Sequence, residues 1–152
     1  MDVEEKLGFD QLRQRLNSYC LSDLGIREVG KIKWSANFQI IKTQLLQTSE
    51  FKQILDKEEA FPTHHFFDAG ELLKTAAIGE SFIESEDLLR IALSLSTVFE
   101  CKTFLAKTRE SYPELFQLGL FVNLPAKVPA SILSKIDEAG RFTNKQSWKS
   151  SG

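Results

Sequence analysis

The sequence predicts an all-α domain, an irregular multi-helix bundle, and three observations carry that reading. Apolar residues recur at spacings of three and four through most of the chain. Prolines, glycines and Ser, Asp or Asn caps fall mainly at the ends of these runs. Strand signals are nearly absent: FQLGLFVNL, residues 116–124, is the one β-like run, and it lacks strict alternation.

The first helix is expected over residues 9–20, FDQLRQRLNSYC, with Phe9, Leu12, Leu16, Tyr19 and Cys20 at helical spacing and arginines on the other side. Ser22 reads as the N-cap of a shorter helix, SDLGIREVGKI, with Asp23 in its first turn and Gly30 near its end. The next segment, WSANFQIIKTQLLQTSEFKQILDKEE, has Ser35 or Asn37 as cap. Phe38, Ile41, Leu45, Thr48 and Leu55 form a long stripe along a helix of about five turns. Pro62 ends that element by removing an amide hydrogen and pushing Phe61 out of the helical region.

Asp68-Ala-Gly-Glu71 then reads as a capping box for a short helix that stops near Gly79. Ser85 reads as the N-cap of the longest helix, which runs to about residue 110. Its core stripe is expected from Leu88, Ile91, Ala92, Leu95, Phe99 and Leu105, widened by Leu89, Val98 and Phe104. Pro113 closes it, and a turn of helix follows in PELFQLG. Pro125 and Pro129 precede a last amphipathic helix, SILSKIDEAG, closed by Gly140. The resulting division is a helical domain over 1–142 and a disordered or extended tail over 143–152.

With 152 residues the chain has the length of one typical domain, able to build a core without metals or disulfides. Twelve phenylalanines supply apolar area that needs no hydrogen-bond partner. Cys20 and Cys101 are far apart and form no CxxC pair, so both read as small buried hydrophobes. The acidic N-terminus has no secretory apolar core and no run of about 18 apolar residues occurs, so the chain reads as cytoplasmic.

His64 and His65 are the only histidines. Zinc needs about four ligands at characteristic spacing. Neighbouring histidines on a turn, without a nearby cysteine, do not supply that set. No GxSxG elbow, GxxxxGK[ST] loop or GxGxxG turn is present. Glu80, Glu84, Glu86 and Asp87 cluster where a helix begins, which its macrodipole favours without any metal. The expectation is therefore no catalytic, metal or cofactor residue. The net charge of −2 gives no overall basic surface, but Lys135, Arg141, Lys145 and Lys149 gather near Phe142 and Trp148 as weak nucleic-acid-contact candidates.

Three segments carry a family resemblance. The opening GFDQLRQRLNSYCLSDLGIREV contains Ser22-Asp23-Leu24-Gly25 after a first helix and a cysteine. The middle, FFDAGELLKTAAIGESFIESEDLLRIALSL, pairs a short leucine helix and Ile-Gly with a long helix begun by Glu-Asp-Leu-Leu. The end, IDEAGRFTNKQS, is similar to an Ile-Asp-x-x-Gly-Arg-Ile-Lys-Asp-Asn-Ala-Ser stretch. Together, and in this order up to Ser147, they resemble the start of MutS-like DNA mismatch repair proteins of the second type, the branch that lacks the mismatch-reading domain. The FPTHHFFD segment looks most like versions from the Bacteroides group of bacteria.

The resemblance implies a non-catalytic helical core or connector, similar to part of the MutS core, lying before lever helices. Full-length members carry levers, a DNA-embracing clamp, a dimerising ABC-type ATPase and often a nuclease domain. They act in DNA repair, recombination control or rescue of collided ribosomes. No ATPase or nuclease motif falls within these residues, so no nucleotide site is carried over. Where the family continues into a lever helix, this chain reads NKQSWKSSG, which gives the expectation of a truncated chain keeping the core module. Its implied partners are the lever and ATPase regions of a parent protein. The alternative is a stand-alone helical module for protein–protein interaction, which would expose an apolar patch of several hundred Å2.

Overall fold

The computed structural model describes residues 6–57, 60–77, 83–125 and 127–136. Among these the regular elements are helices: α1 (Phe9–Ser18), α2 (Asp23–Gly30), α3 (Phe38–Asp56), α4 (Gly70–Ala76), α5 (Ser85–Lys107), α6 (Pro113–Leu120) and α7 (Lys127–Leu133). The protein is an all-α, multi-helix structure. No strand forms among the described residues, and FQLGLFVNL is absorbed into α6 and the segment that follows it.

Local caps set several of these boundaries. Ser22 Oγ accepts from the Gly25 amide at 3.4 Å, one of the orphan donors of α2. At α3 both cap candidates are used in series. Ser35 Oγ accepts from Asn37 N–H at 3.1 Å, and Asn37 Oδ1 accepts from the Gln39 and Ile40 amides at 3.1 and 3.2 Å. Gly25 also answers a packing demand: a Cβ there would stand 3.3 Å from Cys20 Sγ, where α2 turns back on α1. That close approach explains why a cysteine and a Ser-x-x-Gly occur together.

Several boundaries differ from the sequence reading: α1 ends at Ser18, α3 already at Asp56 ahead of Pro62, and α5 at Lys107. Ser85 is the first residue of α5, and the extended residue before it, Glu84, supplies no side-chain cap. The last described helix begins at Lys127, ahead of the expected SILSKIDEAG, and contains buried Pro129. Proline is tolerated there because it lies in the first turn, where an amide hydrogen has no partner inside the helix anyway. Gly79, Gly140 and the whole tail 143–152 lie outside the described residues.

The long helices meet through α6, which packs on both α3 and α5, while α7 packs on α5. Ile54 of α3, Leu105 of α5, and Tyr112 and Leu115 around the start of α6 form a buried cluster. Three rings extend it as an edge-to-face ladder. Phe61 stands between Phe51 at 5.1 Å and Phe104 at 5.3 Å, near-perpendicular to both. Of the expected α5 stripe, Ile91, Ala92 and Leu105 are buried, together with Thr97, whose hydroxyl donates to Leu93 O and so needs no outside partner.

The α1–α2 pair connects to the rest through Arg27, whose guanidinium lies 2.7 Å from Asp68 Oδ2. Asp68 also accepts from the Gly70 amide at 3.0 Å, at the start of α4. The Gly70 hydrogen bond, with the Arg27 charge as a smaller cause, holds the Asp68 carboxyl below its ordinary value of 3.8. A depressed carboxylate stabilises the fold above its unfolded pKa, and that contribution is lost as pH falls through the folded value. In a carbon-13 NMR titration, Asp68 is expected to have its midpoint below 3.8. Arg27→Ala should raise that midpoint only part of the way back, because the amide of Gly70 remains. A full return to the ordinary value would show that the ion pair, and not the amide, is the main cause.

Candidate functional site: a histidine strap and an outward apolar seam

Residues 60–69 form an extended strap that runs backward along α5. Phe61 meets Phe104, Pro62 O accepts from Cys101 Sγ at 3.5 Å, and His64 Nε2 lies 3.3 Å from Glu100. The Phe67 amide then donates to Ser94 Oγ at 3.2 Å, and Arg90 covers the Phe67 ring at 4.0 Å. From Phe104 back to Arg90 is about 21 Å of helix axis at about 1.5 Å per residue. Phe61 to Phe67 reaches about 20 Å when extended at about 3.3 Å per residue. Rise and reach match, so Phe61, Pro62, His64 and Phe67 find partners in order along the helix.

This setting gives the histidines a mechanical place. His64 is largely exposed, and its ring meets that of His65 edge-on at 5.4 Å. His65 adopts φ 58°, a left-handed bend that turns the strap between its two anchor points. Among the described residues no three His, Cys, Asp or Glu side chains assemble as a metal-ion set. Cys101 is not primed as a nucleophile: burial, and then the charge of Glu100, push its thiol above the ordinary value. Both cysteines are free thiols.

Of the basic nucleic-acid candidates, the structure places Lys135 on the exposed turn after α7. Arg141, Lys145 and Lys149 lie outside the described residues, so no cluster is formed by the part that is described.

The feature that the sequence reading misplaced is on α3. Phe38, Ile41, Leu45, Thr48 and Leu55 were read as the long stripe of this helix, and all five are exposed. The buried side is instead that of Glu50 and Ile54, with Phe51 beside them. The exposed residues follow a three-four-three spacing over their first four members, the repeat by which one helix presents a seam to another. Among the described residues eighteen large hydrophobics are exposed and seven hydrophobics are buried. Single exposed leucines need no explanation, but a periodic row on one helix does.

Curated relatives align with this chain over most of its length. Endonuclease MutS2 of Alkaliphilus oremlandii is 30% identical over 115 residues, 74% of this chain. Endonuclease MutS2 of Listeria welshimeri is 25% identical over 143 residues, 92% of this chain. The chain is homologous to MutS2 endonucleases. A third MutS2 relative, from Exiguobacterium sibiricum, is 27% identical over 72% of the chain. The chain spans 14–18% of the length of these MutS2 relatives. No family model matches it, and no solved structure matches significantly. No helix among the described residues is long and apolar enough to cross a membrane.

Proposed function

We propose that this chain is a non-catalytic helical core module of a MutS2-type protein, and that the outward seam of α3 packs against another segment of such a protein. The seam carries the reading. Phe38, Ile41 and Leu45 stand in a row on the side of α3 away from Ile54; Phe38 and Leu45 are 69% and 64% exposed, and Ile41 between them is 36% exposed. A helix that is apolar on two faces is one that the complete assembly buries on both. The MutS2 homology, confined to a small part of the relatives' length, supports the choice of covering chain: the remainder of a MutS2-length protein.

In this reading the mechanism is mechanical. The strap and the α3–α6–α5 contacts bind the helices into one body, and the seam passes movement between an ATPase region and the lever and clamp regions. The chain itself turns over neither ATP nor DNA. Mixed with the remainder of the Alkaliphilus oremlandii MutS2, it is expected to form a complex that Leu45→Asp weakens at least about tenfold. Leu45→Asp should leave its own melting temperature unchanged within about a degree, because an exposed site contributes little to folding. ATP hydrolysis or DNA cleavage by the chain alone would overturn the non-catalytic role. Binding that ignores Leu45→Asp would overturn the seam. The stand-alone interaction module uses the same face but would leave the MutS2 remainder unbound.

A further inference from the structure

Between the end of α2 and the side of α3 lies an open groove of about 540 Å3. Its walls include Lys31, Lys33, Trp34, Ile40, Gln44 and Gln47, and no acidic side chain among the described residues lines it. Trp34 is 83% exposed, an indole left almost wholly in water. The ring thus offers a partner a large, flat apolar face. The KIKW loop is held in place from behind, where Arg13 Nη2 donates to Ile32 O at 2.6 Å. At its far end the Ser35–Asn37 cap fixes the turn into α3. The indole is therefore presented by a braced loop.

Charge is segregated in the same region. Residues 11–49 hold six Arg and Lys against two Asp and Glu, within a chain whose net charge is −2. One of the two groove cations, Lys31, is paired with Glu28 at 2.6 Å, an exposed pair that solvent weakens and that an incoming anion can displace. Lysines track phosphates, an exposed indole stacks a planar base, and glutamine amides offer both a donor and an acceptor to a base edge. An acidic peptide would satisfy the lysines alone and leave the indole face without a flat partner.

We infer that the KIKW groove binds a short single-stranded segment of nucleic acid, with Trp34 stacking one base and Lys31 and Lys33 contacting adjacent phosphates. Two phosphate contacts to a single strand give a salt slope of about −1.4, so binding weakens about sevenfold between roughly 50 and 200 mM salt. The groove borders the α3 seam at Thr48, but the residues assigned to the nucleic acid, Trp34, Lys31 and Lys33, lie outside that seam.

The test uses the full chain carrying Trp148→Phe, which leaves Trp34 as its sole tryptophan. Titration with oligo(dT), and in parallel with oligo(U), is expected to quench Trp34 fluorescence to saturation, with the sevenfold salt effect. With a labelled oligonucleotide, Trp34→Ala should weaken binding about tenfold. Lys33→Glu should weaken it and flatten the salt slope. Helical content by circular dichroism checks each variant. If Trp34→Ala loses structure, Lys33→Gln on the exposed loop provides the same reading of affinity and salt slope. Absence of quenching overturns the inference, as does quenching by poly-glutamate but not by oligonucleotide, which would assign the groove to an acidic protein. Binding that is unchanged in both Trp34→Ala and Lys33→Glu also overturns it.

Discussion

Ile54→Ala is expected to lower the free energy of unfolding by about 2–5 kcal/mol, read from the shift of a chemical-denaturation midpoint. Ile54 is fully buried and touches the cluster of Leu105, Tyr112 and Leu115 where three helices meet. Truncation removes transfer energy and leaves a cavity that α5 and α6 cannot both collapse into. Ordinary domains have about 5–15 kcal/mol in total, so such a loss reaches a large fraction of the whole. Leu55→Ala, one residue along, is the matched control. Leu55 is 58% exposed and should change stability by no more than about 0.5 kcal/mol. Equal losses at 54 and 55 would mean that α3 is rotated, with the Phe38–Leu55 stripe turned inward.

Replacing Glu50 by leucine is expected to cost about 2–4 kcal/mol, close to the Ile54 effect although the substitution adds apolar surface. Glu50 is buried, and its two carboxylate oxygens accept from the Glu114 and Leu115 amides at 3.1 and 2.8 Å. Those amides belong to the first turn of α6, whose own preceding residue, Tyr112, offers no side-chain cap. A side chain from another helix thus does the work of an N-cap, and the α6 dipole favours its charge. Leucine leaves one buried and one part-buried donor unpaired, at about 1–3 kcal/mol for the buried one. Glu50→Gln keeps one acceptor and should lose roughly half as much. Hydrogen exchange gives the site-specific check: the amides of Glu114 and Leu115 should lose protection in Glu50→Leu and retain part of it in Glu50→Gln. If glutamine and leucine are equally tolerated, the cap is not what holds α6 to α3.

Much of the helical layout was legible because its causes are local. Ser22 and Asn37 sit beside the amides they cap, and Pro113 stands at the first position of its helix, so short windows of sequence contain both partners. The strap was legible only as a break after Pro62. An extended segment has no period of its own, and its order comes from Glu100, Cys101, Ser94 and Arg90 on a helix that follows it in the chain. The histidine pair, read in the sequence as lying on a turn without a ligand set, gained a specific neighbour only in the structure, where His64 approaches Glu100. Pro129, placed ahead of the last helix by the sequence reading, is a buried first-turn residue of α7.

The outward seam marks the boundary between the two kinds of information. By itself the sequence determined that residues 38–56 make a helix and that apolar side chains lie on more than one of its faces, because backbone periodicity and capping act within a few residues. Which face turns inward was decided by tertiary structure alone. Glu50 and Ile54 win that competition because α6 brings two amides and Leu115 to that side, from 64 and 65 residues away in the chain. Burial of Phe38, Ile41 and Leu45 would leave those amides without an acceptor, so polar satisfaction and packing together choose the orientation.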